Sequence, residues 1–80
     1  MLPPKNDPRW TWFIDHIGET HVTDLSAKMF LSRLKMQAGG GHADKRELIA
    51  MAHAFFTKHE TALADDIRRI FADEAGRKNS

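Results

Sequence analysis

From Asp44 to about Ala75 the chain holds neither glycine nor proline, and its apolar residues keep helical register over the whole distance. Leu48, Ile49, Ala52, Phe55, Phe56, Leu63, Ile67, Ile70 and Phe71 make one stripe, in which Ile49, Phe56, Leu63 and Ile70 recur at sevens. A continuous helix of ~30 residues is ~45 Å long. A chain of 80 residues packs to a diameter of roughly 30 Å. The stripe is therefore too long for one small globule to cover, and two outcomes follow. The chain breaks near Lys58-His59-Glu60-Thr61, its most polar point, with Thr61 capping a further helix. Alternatively the helix runs on, and its far end (Leu63, Ile67, Ile70, Phe71) packs on a second copy as a dimerisation surface.

The rest of the chain supplies two shorter helices. Residues 1–6, with two prolines and polar neighbours, offer little to pack and read as a disordered leader. Asp7-Pro8 is a helix start, a capping carboxylate followed by proline in the first turn. Trp10, Phe13, Ile14 and Ile17 follow on one face, and Gly18 ends the helix. After a connector, Thr23 or Asp24 caps a second helix whose core stripe is Ala27, Phe30, Leu31 and Leu34. Gly39-Gly40-Gly41 stops it, since glycine runs carry a high entropic cost in a helix. Asp44, with Glu47 three residues on, has capping-box spacing. No alternating run or hairpin turn signals a strand. The expectation is all-α: a small three- or four-helix bundle, a single domain over residues 7–76 with a flexible tail at 77–80.

Composition closes several doors. Without cysteine there are no disulfides, thiolate metal sites or thiol nucleophiles. The first residues lack the apolar segment of a signal peptide, and the longest apolar run, Leu48 to Ala52, is too short to span a bilayer. A cytoplasmic, non-membrane protein is expected. The five histidines (His16, His21, His42, His53, His59) show neither His-x-x-x-His nor H-E-x-x-H spacing, so no metal is expected. The triple glycine lacks the strand and the Lys-Ser/Thr ending of a phosphate loop. Asp65 and Asp66 are adjacent and point about 100° apart on a helix, and Asp65 pairs with Arg69 one turn on. Neither enzymatic activity nor a cofactor is expected.

What remains is apolar and basic surface. Leu25, Met29 and Met36 fall on the side of the second helix opposite its core stripe, and Lys28, Arg33 and Lys35 flank them. Between Leu25 and Ala43 there are three basic residues and no acid. This pattern suits an acidic or amphipathic protein partner, and methionine adapts to varied shapes. The competing explanation is a central second helix buried on two sides. Trp12, with His16 one turn on, faces away from Trp10 as an interface anchor, unless the leader or the tail folds over it. The expected partner-binding set is thus Trp12, His16, Met29, Arg33, Lys35 and Met36. The function expected is that of a homodimeric adaptor, regulator or inhibitor. The alternative is a DNA-binding regulator, with Lys28, Arg33, Lys35, Lys45 and Arg46 meeting nucleic acid through a helix-turn-helix-like arrangement. A net charge of +1 favours neither.

Overall fold

Among the described residues, three of the four α-helices begin where a carboxylate accepts from their free N–H groups. The computed structural model describes residues 2–40 and 44–74. In α1 (Pro8–His16) Asp7 accepts from the Arg9 amide at 2.9 Å; in α2 (Leu25–Gly39) Asp24 accepts from Ala27 at 3.0 Å. In α3 (Lys45–Lys58) Asp44 accepts from Arg46 at 2.9 Å. Each such cap stabilises its helix by about 1 kcal/mol. The Arg9 side chain also binds Asp7, and these side-chain and backbone hydrogen bonds hold that carboxyl below its ordinary value. A short 3-10 turn, Glu19–His21, joins α1 to α2.

The long C-terminal stripe breaks. α3 stops at Lys58, residues 59–63 form a turn, and α4 (Ala64–Ile67) continues into a wider π-type winding over Arg68–Glu74. Thr61 does not cap α4 with its side chain; only its carbonyl oxygen takes part, accepting from Ala64 at 3.4 Å. His59 ends α3, its amide donating to Phe55 O at 3.1 Å, and Leu63 closes the turn onto His59 O at 2.9 Å. The principal extents are 30 × 29 × 20 Å, well short of what a continuous helix needs.

This break changes the meaning of the stripe beyond it. Leu63, Ile67, Ile70 and Phe71 are all at most 3% exposed within the single chain. The dimerisation surface expected there is instead part of the chain's own core. The turn carries this segment back over α1, where Phe71 meets Trp10 and Phe13.

Trp10 sits at the middle of that core. Its ring lies 4.7 Å from Phe71, 5.2 Å from Phe13, 5.6 Å from His53 and 6.3 Å from Phe56, in edge or tilted arrangements. Such geometry suits the aromatic quadrupole. The indole N–H donates to Pro3 O at 2.9 Å, and Pro3 is buried while Leu2 packs on the core edge. Within the segment read as a disordered leader, Leu2 and Pro3 thus pack on the core and Pro3 satisfies the buried indole N–H, while Pro4, Lys5 and Asn6 are exposed. The expected tail at 77–80 lies outside the described residues.

A buried carboxylate ties α4 to the connector ahead of α2. Asp66 of α4 accepts from the Thr23 amide at 3.1 Å and the Thr23 hydroxyl at 3.2 Å, and it pairs with Arg69. Arg69 also donates to His21 O at 3.0 Å. Arg69 therefore pairs with Asp66, three residues back, and not with Asp65, which instead meets Arg68 at 3.4 Å. Burial alone would raise the Asp66 carboxyl; the hydrogen bonds from Thr23 and Arg69 outweigh it and leave the group below its ordinary value. Thr23 is committed to this contact, which is why Asp24 alone caps α2.

Candidate functional site

Helix α2 packs one face inward and leaves the other open. Ala27, Leu31 and Leu34 are buried against the core. Leu25, Met29 and Met36 are 71%, 51% and 75% exposed, so α2 is not buried on two sides. At about 100° per residue, Leu25, Met29, Ser32 and Met36 share a sector of roughly 60°, and the stripe is about 17 Å long. Lys28 and Lys35 border it on the α1 side, and Arg33 borders it on the α3 side, each roughly 70–90° from its centre.

The two borders differ in how they are held. On the α1 side, Lys35 Nζ donates to Ile14 O and Asp15 O at 3.3 and 3.5 Å, where α1 runs out of internal partners for its carbonyls. Lys28 Nζ likewise donates to Glu19 O at 3.3 Å. Lys35 thus ties α2 to the end of α1, and Lys28 ties it to the 3-10 turn, while both keep their charge beside the stripe. On the α3 side, Arg33 makes no hydrogen bond or ion pair among the described residues. It lines an open groove of about 340 Å³ with Ser26, Met29, Phe30, Phe55 and His59.

The floor of that groove is aromatic. Phe30 and Phe55 stack with centroids 4.2 Å apart and planes within 4°, and His59 lies 4.6 Å from Phe55. The sequence placed both phenylalanines in the core stripes, yet they are only partly buried at its edge. A signal was present: Phe55 and Phe56 are adjacent, and two neighbouring residues about 100° apart cannot both sit at the centre of one helix face. Phe56 is the one fully buried. Ser26, Phe30, Phe55 and His59 thereby join the site, although none was expected in it.

Other expected members fall elsewhere. Trp12 is partly buried and packs on the core, its ring stacked 5.4 Å from His16. Its indole nitrogen is buried with no hydrogen-bond partner among the described residues. Trp12 is thus not the outward anchor that the helical wheel suggests, and neither it nor His16 lines the grooves beside Met29 and Arg33. His16 is exposed, with Nδ1 3.0 Å from Trp12 O. The basic set expected at nucleic acid divides between grooves: Lys28 and Arg33 line one, and Lys35 and Lys45 line another with Asp15. Lys45 pairs with Asp15 at 2.7 Å and Arg46 with Asp44 at 3.4 Å, both at the start of α3. Arg33, Met29 and Met36 share one surface; Lys35 joins them along its α1 border.

Among the described residues, no three His, Asp or Glu side chains are grouped so as to hold a metal ion; His42 lies outside those residues. Also among them, no helix is long and apolar enough to cross a membrane. No known protein family, curated protein or solved structure matches the chain.

Proposed function

We propose that this chain is a non-enzymatic protein–protein interaction module whose contact surface is the outward face of α2. The observation that carries the proposal is the row Leu25, Met29 and Met36, left exposed on a helix whose other side is packed. Large apolar side chains gathered in a row on one helix face are a stronger sign of a contact site than the same residues scattered singly. Its charged borders and adaptable methionines suit docking that is weak enough to reverse. Regulation or inhibition by occupancy is the kind of work that such a surface can do.

The homodimer expected from the C-terminal stripe has no support in this arrangement, since that stripe is interior. Nucleic acid draws less support than protein: of Lys28, Arg33, Lys35, Lys45 and Arg46, Lys45 and Arg46 are already paired with carboxylates of this chain, Asp15 and Asp44. A phosphate-binding surface needs its cations gathered and available.

Affinity capture from the source cells tests the proposal, with wild-type chain and an L25Q/M29Q/M36Q variant compared in nuclease-treated and untreated lysates. A protein recovered by the wild type, lost with the variant and indifferent to nuclease supports it. Equal recovery by both chains, or recovery abolished by nuclease, would overturn it.

A further inference from the structure

We infer that the element docking on α2 is an amphipathic helix of another protein, with acidic residues along both borders of its apolar stripe. This deepens the reading of α2 as a contact surface and rests on it.

Shape selects a helix. The exposed stripe is straight, one residue wide and about three helical turns long, with the Phe30–Phe55 groove alongside. Ridges of that width and length pack against the matching groove of another helix at 8–10 Å between axes. Among the described residues there is no strand whose edge could extend a sheet onto an extended peptide.

Charge selects the partner's borders. Lys28 and Lys35 stand on one side of the stripe and Arg33 on the other, with no acidic residue from Leu25 to Gly40. A second copy docking by the same face would set cations against cations on both borders, because a two-fold interface pairs a patch with itself. Like charges so placed disfavour a partner, and opposite charges select one. An anionic membrane would satisfy the charges but not the shape. A helix lying in a bilayer interface commits a whole face, whereas α2 offers a sector of roughly 60° beside the exposed Glu19.

Two synthetic helical peptides test this, with the same Leu and Phe residues at i, i+4, i+7 and i+11 and with either Glu or Lys bordering the stripe. Each is titrated by fluorescence anisotropy against the full chain. The Glu peptide should bind with a micromolar Kd, and the Lys peptide at least about tenfold more weakly. Met29→Gln, neutral and exposed, should weaken the Glu peptide by about tenfold with an unchanged circular dichroism spectrum and Tm. Arg33→Glu should weaken the Glu peptide and strengthen the Lys peptide. The inference is overturned by equal binding of the two peptides, by preference for the Lys peptide, or by no effect of Met29→Gln. It is equally overturned by self-association, or by binding to anionic vesicles, that the same variant abolishes. If lysate capture still depends on Leu25, Met29 and Met36 while the Glu peptide fails to bind, the contact surface stands and the acidic helix falls. If neither depends on those residues, both fall.

Discussion

Two apolar rows in this chain look alike in sequence and meet opposite fates. Leu63, Ile67, Ile70 and Phe71 are buried within the chain, and Leu25, Met29 and Met36 stand in solvent. Both looked like surplus by helical periodicity. The difference lies in what the chain does next to each. Beyond Lys58 a turn carries the first row back over Trp10 and Phe13, whereas α2 has already given its other face to the core. An apolar row is a candidate interface only after the chain's own reversals have been allowed to use it.

The sharpest way to break this comparison is a charge in each row. Ile70→Asp should cost more than about 4 kcal/mol, because an unpaired carboxylate would replace a fully buried side chain. At about 4–8 °C of Tm per kcal/mol for a domain of this size, circular dichroism should show the melting midpoint lowered by about 15–30 °C or the chain unfolded. An unchanged Tm for Ile70→Asp would mean that the row is not part of the core. Met36→Asp should leave stability within about 0.5 kcal/mol, as for an exposed position.

Between these extremes lies the link that fixes the first row in place. Asp66→Asn keeps the shape but removes the carboxylate that Thr23 and Arg69 address, and should cost about 2 kcal/mol in urea unfolding. Because the folded Asp66 carboxyl lies below its ordinary value of 3.8, its stabilisation is complete above that pH. It is lost as pH falls through the lower folded value. The wild type should thus lose more stability than Asp66→Asn as the pH falls below the ordinary value of 3.8. Parallel acid limbs for the two chains would show that Asp66 does not anchor α4.

The smallest expected effect belongs to Lys45→Ala. Its ion pair with Asp15 has both side chains 46% exposed. Removing it should cost no more than about 1 kcal/mol, with the difference shrinking as salt is raised. A larger, salt-independent loss would mean that the α1–α3 contact depends on this pair and not on apolar packing.

Much of this architecture was legible in the residues. Asp7-Pro8, Asp24 and Asp44 each mark a helix start by local hydrogen bonding, and one-face spacing identifies Trp10, Phe13, Ala27, Leu31 and Phe56 as interior. These signals are local: caps act within a turn, and periodicity needs only the helix itself. For the same reason the exposed row on α2 was readable, since it lies opposite a core stripe on one element.

The rest depends on residues far apart in sequence. That Pro3 receives the Trp10 indole, that Thr23 and Asp66 meet across 43 positions, and that Lys35 holds the end of α1 follow only from how the helices pack. The same holds for the groove: Phe30 and Phe55 lie on different helices, and only the α2–α3 contact stacks them beside Arg33. The sequence by itself determined which faces are apolar and where helices begin, because those are properties of single turns. Tertiary structure alone decided which apolar faces remain exposed, because burial is set by the partner that each face finds.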